Sequence, residues 1–139
     1  MGLEIHATGI DRTFQCSYIG FKHLRDHIAM AYDKDFGDVY IDSRMLLSNQ
    51  LKWEKTINDI IAKKQFPDED NDILDFFFDS DCSGSISYKT CKKIYDLIKD
   101  IDFTGYIFIY SAYSDGKDYE HFKDFLKTCY SKKRRMKWD

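Results

Sequence analysis

Proline and glycine are scarce, one and seven in 139 residues, which excludes collagen-like, linker-like and proline-rich disordered architectures. Long apolar runs are missing as well: nothing approaches the roughly 18 uninterrupted apolar residues that a membrane span requires. The opening Met1-Gly2-Leu3-Glu4-Ile5-His6 has neither the basic nor the apolar region of a secretory signal. His6 also stands where a myristoylation signal beginning at Gly2 wants Ser or Thr, so the expected location is the cytoplasm. The four cysteines, Cys16, Cys82, Cys91 and Cys129, are widely spaced with no C-x-x-C pair, and they read as reduced thiols rather than a disulfide framework. Neither charge sign dominates: 24 acids against 21 bases give a net charge of -3, unlike a typical basic nucleic-acid binder. Catalytic signatures are absent too. There is no Walker loop, no G-x-S-x-G elbow, no dinucleotide fingerprint and no H-E-x-x-H, because Leu24 fills the catalytic Glu position of His23-Leu24-Arg25-Asp26-His27. The expectation is a binding protein rather than an enzyme.

Aromatic residues, in contrast, are abundant: 11 Phe, 10 Tyr and 2 Trp make up 17% of the chain, enough bulky ring surface for one compact core. The pattern predicts a single α+β domain over 1–139, with about four helices packed on a small, mostly antiparallel sheet. Loose alternation at Leu3–Ala7 and an extended piece near Phe14–Cys16 suggest a hairpin. Ser17 caps a helix to about Tyr32, with Phe21, Leu24, Ile28 and Ala31 at helical spacing. Asp33–Asp42, with four Asp and one Gly around Val39-Tyr40-Ile41, reads as a loop with a short extended stretch. A helix over Ser48–Lys64 ends at Phe66-Pro67, and the acids that follow favour a short helix carrying Ile73, Leu74, Phe76, Phe77 and Phe78. Ser87 caps a helix to about Asp100. Tyr106–Tyr110 reads as a central strand, and a last helix from Asp115 runs into the basic tail.

The run Asp79-Ser80-Asp81-Cys82-Ser83-Gly84-Ser85-Ile86-Ser87 resembles the first nine positions of an EF-hand loop. Its last ligand position holds Thr90 instead of a bidentate Glu, so calcium binding is not expected. A zinc site has a better supply of donors: thiolates from Cys82 and Cys91, the neighbouring carboxylate of Asp81, His6 on the first strand, and the i, i+4 pair His23 and His27. Their spacing matches no zinc-finger pattern, and a zinc bound there would be structural. Asp79 and Asp81 are also the residues that would hold Mg²⁺ in a metal-dependent enzyme acting on nucleic acid or nucleotides, the main competing class.

Charge is distributed unevenly. Phe66–Tyr88 contains seven acids and no base, whereas the last eight residues contain the five bases Lys132, Lys133, Arg134, Arg135 and Lys137. The basic tail is the candidate contact for an acidic or phosphate-bearing partner, and the acidic stretch is a candidate mimic of nucleic-acid phosphate.

Met1-Gly2-Leu3-Glu4, Ser17-Tyr18-Ile19-Gly20-Phe21 with Leu24-Arg25 and Ile28-Ala29, Ser80-Asp81-Cys82-x-Gly84, and Cys91-Lys92-Lys93-Ile94-Tyr95 followed by Ile98-Lys99-Asp100 together resemble a group of small phage and prophage proteins of Firmicutes. The likeness extends over about two thirds of the chain. In size and acidity the chain is similar to type II anti-CRISPR proteins. The resemblance implies an inhibitor that binds a host defence protein such as a Cas9 complex, in which Asp81, Cys82 and Cys91 form a shared structural or metal feature.

Overall fold

The computed structural model describes residues 2–44, 50–80, 82–103, 113, 115 and 117–139. Two strands open the chain, β1 (Gly2–His6) and β2 (Phe14–Ser17), followed by α1 (Tyr18–Tyr32), α2 (Lys34–Arg44) and α3 (Gln50–Lys64). A 3-10 turn at Asp68–Asp70 leads into α4 (Asn71–Phe78), and then come β3 (Gly84–Ile86), α5 (Tyr88–Ile98), α6 (Asp118–Ser131) and β4 (Met136–Trp138). The class is α+β, as the sequence predicts, with six helices rather than about four among the described residues.

The four strands form one antiparallel sheet in the order β2-β1-β4-β3, so the two ends of the chain lie side by side in its middle. The expected hairpin is present, with Leu3 opposite Cys16 and Ile5 opposite Phe14. Period-two alternation sends Leu3, Ile5, Phe14, Cys16, Ile86, Met136 and Trp138 into the core and leaves Glu4, Gln15 and Lys137 exposed on the other face. The buried side chains join Phe21, Leu24 and Ile28 of α1, Cys91, Ile94 and Ile98 of α5, and Phe122, Phe125, Leu126 and Cys129 of α6 in one apolar cluster.

Local signals explain most boundaries. Ser17 and Ser87 cap α1 and α5 through their hydroxyls, which accept from the backbone N–H groups of Gly20 and Thr90. The acid-rich segment after α1 is a helix, not the expected loop. Asp33 stops α1 and also accepts a 2.9 Å hydrogen bond from the backbone of Phe36, which starts α2 and aligns the buried Phe36 and Tyr40 one turn apart. Gly37 lets α2 approach α1 closely, since a Cβ there would lie 2.6 Å from the sulfur of Met30.

The C-terminus also departs from expectation. α6 ends at Ser131 in a Schellman turn: Lys133 has φ 55°, its N–H donates to Tyr130 at 3.2 Å, and the N–H of Arg134 donates to Cys129 at 2.9 Å. The reversal places Met136 and Trp138 in the sheet interior, so the basic tail is a strand between β1 and β3 and not a helix extension. The expected strand Tyr106–Tyr110 and the expected helix start at Ser48 lie outside the described residues.

Candidate functional site

The candidate site is a cleft of about 350 Å³ between α4, β3 and the start of α5. Its position follows from the amphipathicity of α4. Ile73, Leu74, Phe76 and Phe77 are buried, whereas Asp72 and Asp75 line the cleft with Asp79, just beyond the helix end, and Phe78 is 41% exposed at the lip. Ser85, Ile86, Ser87 and Thr90 form the opposite wall, together with Arg135 from the tail, whose guanidinium donates to the hydroxyl of Ser85 at 2.9 Å.

The three carboxylates differ electrostatically. Asp72 belongs to the first turn of α4, where the helix dipole favours an acid. It accepts 2.7 Å and 2.8 Å hydrogen bonds from Thr90 and Lys93. Burial opposes its charge, but the bonds from Lys93 and Thr90 outweigh burial and hold its pKa below the usual carboxylate range. Asp75 and Asp79 sit four residues apart at the other end of the helix, where an acid opposes the dipole and like charges repel. Burial, assisted by Asp75 and countered in part by Arg25, raises the pKa of Asp79. Lys93 also donates to the backbone carbonyl of Glu69, tying α5 to the entrance of α4.

A buried cation fixes the loop beneath the cleft. Arg25, 1% exposed on α1, donates 2.8 Å and 3.2 Å hydrogen bonds to the backbone carbonyls of Asp79 and Ser80. Its guanidinium lies 4.6 Å from the ring centre of Phe21, 5.4 Å from that of Phe76 and 5.8 Å from that of Trp138. The indole N–H of Trp138 donates to the same Ser80 carbonyl at 3.0 Å, and the Cys82 N–H donates to the Ser80 hydroxyl at 3.1 Å. Pattern reading missed Arg25. The available signal was a charged residue four positions from Phe21 inside the stripe Phe21, Leu24, Ile28.

Three of the six zinc-ligand candidates, Cys91, His6 and His27, have other partners. Asp81 lies outside the described residues. Cys82 is exposed, and Cys91 is buried against Cys129, whose hydrogen bond together with burial holds the Cys91 thiol protonated. His6 pairs with Asp139 at 3.3 Å, and His27 hydrogen-bonds the Tyr119 hydroxyl. His23 is exposed and close enough to add to the effect of burial in lowering the pKa of His27. Among the described residues no three His, Cys, Asp or Glu side chains converge as a metal centre would require. Thr90, at the last position of the loop, donates to Asp72.

The tail bases do not act as a block. Lys132 and Lys133 form the turn, Arg134 packs beside Gly9 in the β1–β2 connection, Arg135 joins the cleft wall, and Lys137 lies on the exposed sheet face opposite His6 and Ser85. No described helix is long and apolar enough to cross a membrane. Comparison of the chain with protein-family models, with curated proteins and with solved structures yields no match.

Proposed function

We propose that the chain is a phage-encoded inhibitor that binds a host defence protein, a Cas9–guide complex above all, and competes there with nucleic acid. The observation that carries this reading is the exposed edge of α4: Phe78, packed edge-on against Phe36 and Tyr40, leaves 41% of its surface exposed at the lip of a cleft lined by three carboxylates. An acidic edge with a partly exposed ring suits a basic groove that otherwise receives phosphates. The basic residues at the tail, chiefly Arg135 and Lys137, serve as a second contact. The test is DNA cleavage by purified Cas9–guide complex preincubated with excess protein. Loss of cleavage, with a complex that weakens as salt rises, supports the reading; normal cleavage with no complex on gel filtration rejects it.

A second reading uses Asp79 and Asp81 to hold Mg²⁺ in an enzyme acting on nucleic acid or nucleotides. Incubating a nucleic-acid panel with Mg²⁺ or Mn²⁺, alongside an Asp79→Ala, Asp81→Ala double variant, separates the two. A structural zinc at Cys82 and Asp81 is an independent proposal, and metal analysis of untagged protein decides it. Calcium binding at the loop predicts a melting shift that EGTA reverses.

A further inference from the structure

We infer that the outer groove between α5 and α6 binds single-stranded nucleic acid, with Tyr95 and Tyr130 as ring surface for its bases and Lys92, Lys99 and Lys127 as contacts for its phosphates. This goes beyond the inhibitor reading, which the α4 edge carries, and the two can fail separately.

Helical spacing builds the groove. Cys91, Ile94 and Ile98 turn one face of α5 into the core, and Phe122, Phe125, Leu126 and Cys129 do the same for α6. Lys92, Tyr95 and Lys99, three and four positions apart, therefore follow one edge of α5, and Lys127 and Tyr130 follow one edge of α6. The two edges meet. The half-buried rings of Tyr95 and Tyr130 lie 5.4 Å apart between centres, and the Lys92 ammonium lies 5.9 Å from the centre of the Tyr130 ring.

The charge of this surface runs against that of the chain. The net charge is -3, yet Lys92 and Lys99 share the single carboxylate of Asp96, at 2.9 Å and 3.7 Å. Exposed ion pairs of this kind contribute little and open readily to a polyanion. Lys127, Lys132 and Lys133 are exposed and make no salt bridge among the described residues. The backbone of Lys133 donates to the carbonyl of Tyr130, so the turn continues the cationic surface beyond the rings.

The rings choose among polyanions. A single strand brings unpaired bases that stack on tyrosine and phosphates that pair with lysine, whereas a duplex keeps its bases stacked on one another. An acidic peptide pairs with the lysines but brings no planar base to the rings. The exposed large apolar side chains among the described residues are Ile19 and Phe78, and neither lies on α5 or α6, so the groove lacks the apolar centre of a protein interface.

The test is fluorescence anisotropy of labelled single-stranded DNA and RNA of mixed sequence titrated with the full chain, with duplex DNA and polyglutamate as controls. The expected result is saturable binding of single strands that weakens with salt and exceeds that of both controls. A Lys99→Gln, Lys127→Gln variant, altered only at exposed side chains, is expected to flatten the slope of log K against log salt by about 1.4, from two phosphates at about 0.7 each. A Tyr95→Leu, Tyr130→Leu variant keeps apolar bulk without ring faces, and its affinity is expected to fall at least about tenfold. If that variant does not fold, the lysine variant decides. No binding of single strands, equal binding of duplex or polyglutamate, an unchanged salt slope in the lysine variant, or unchanged affinity in a folded tyrosine variant overturns the inference. Inhibition of Cas9 by a chain that binds no oligonucleotide overturns the groove and leaves the inhibitor reading standing; oligonucleotide binding with normal Cas9 cleavage does the reverse.

Discussion

The guanidinium of Arg25 in α1 reaches the carbonyl of Asp79, 54 residues further along the chain, in a 2.8 Å hydrogen bond. Through that bond and its neighbour to Ser80, a helix of the core sets the backbone at the floor of the cleft. Arg25→Met keeps much of the apolar packing but leaves the part-buried carbonyl of Asp79 without this donor. The expected loss of stability is about 1–3 kcal/mol in urea denaturation, because bonds from a charged donor are lost, while the Ser80 carbonyl keeps its bond from the Trp138 indole. Arg25→Lys keeps the charge with only one donor head and is expected to lose about half as much. A neutral result for Arg25→Met would show that the loop is held by other means.

Gly84 and Trp138 are directly opposed across β3 and β4, and the indole fills the space where a side chain would stand. A Cβ on Gly84 would lie 2.3 Å from one ring carbon of Trp138, which is itself 1% exposed and packed between Phe21 and Phe76. The ring cannot retreat without disturbing both. Gly84→Ala is therefore expected to cost about 1–3 kcal/mol, with a changed near-ultraviolet dichroism signal from the indole. Wild-type stability in this variant would mean that β3 does not pack against Trp138 as described.

Lys133 occupies the left-handed position of the Schellman turn, with φ 55°, where glycine carries no Cβ penalty. Lys133→Gly is expected to raise stability by about 0.5–1 kcal/mol, less whatever glycine adds to the freedom of the unfolded chain. Equilibrium unfolding measures it. Destabilisation would reveal a contact of the lysine side chain that outweighs backbone strain. The same variant tests the tail as a docking element, since it removes one of five bases and leaves β4 in register.

The parts of the fold legible in the sequence were those fixed by neighbours in the chain. The hairpin of β1 and β2 follows from alternation, and α1 and α5 follow from Ser17 and Ser87 standing just before an apolar stripe. α2 was hidden because Asp33 closes one helix and opens the next, so a run of acids that reads as a loop is a capped junction. β4 was hidden because bases at 132–135 and 137 outweigh the Met136 and Trp138 alternation, which becomes meaningful only once β1 is there to pair with it. The acidity of the candidate site was legible as composition. Its shape was not, since the donors that set it, Arg25 and Trp138, lie 54 to 58 residues from the atoms they hold. The zinc candidates illustrate the same limit: helical spacing put His23 and His27 together, and tertiary packing then gave His27 to Tyr119.

Asp72 and Asp79 make the pH dependence of stability a sum of opposing parts. The pKa of Asp79 is raised in the folded protein, chiefly by burial, so between the usual carboxylate value and that higher one the native state holds more protons than the unfolded chain. Its charge therefore lowers stability as pH rises through that window, and the penalty is complete above it. The pKa of Asp72 is lowered despite burial by its bonds to Lys93 and Thr90, so its contribution is full above the usual carboxylate pKa and is lost as pH falls through the folded value. Asp79→Asn is expected to raise stability at pH 7 by about 0.5 kcal/mol, from the relieved repulsion with Asp75 and the α4 dipole, and to lose that effect once acid has protonated Asp79 in the wild-type protein. Asp72→Asn is expected to lower stability at pH 7, with the deficit closing on acidification. Thermal unfolding across pH 2–7 measures both. If Asp79→Asn destabilises the protein at neutral pH, the attraction of Arg25 for the Asp79 carboxylate outweighs burial and the repulsion of Asp75.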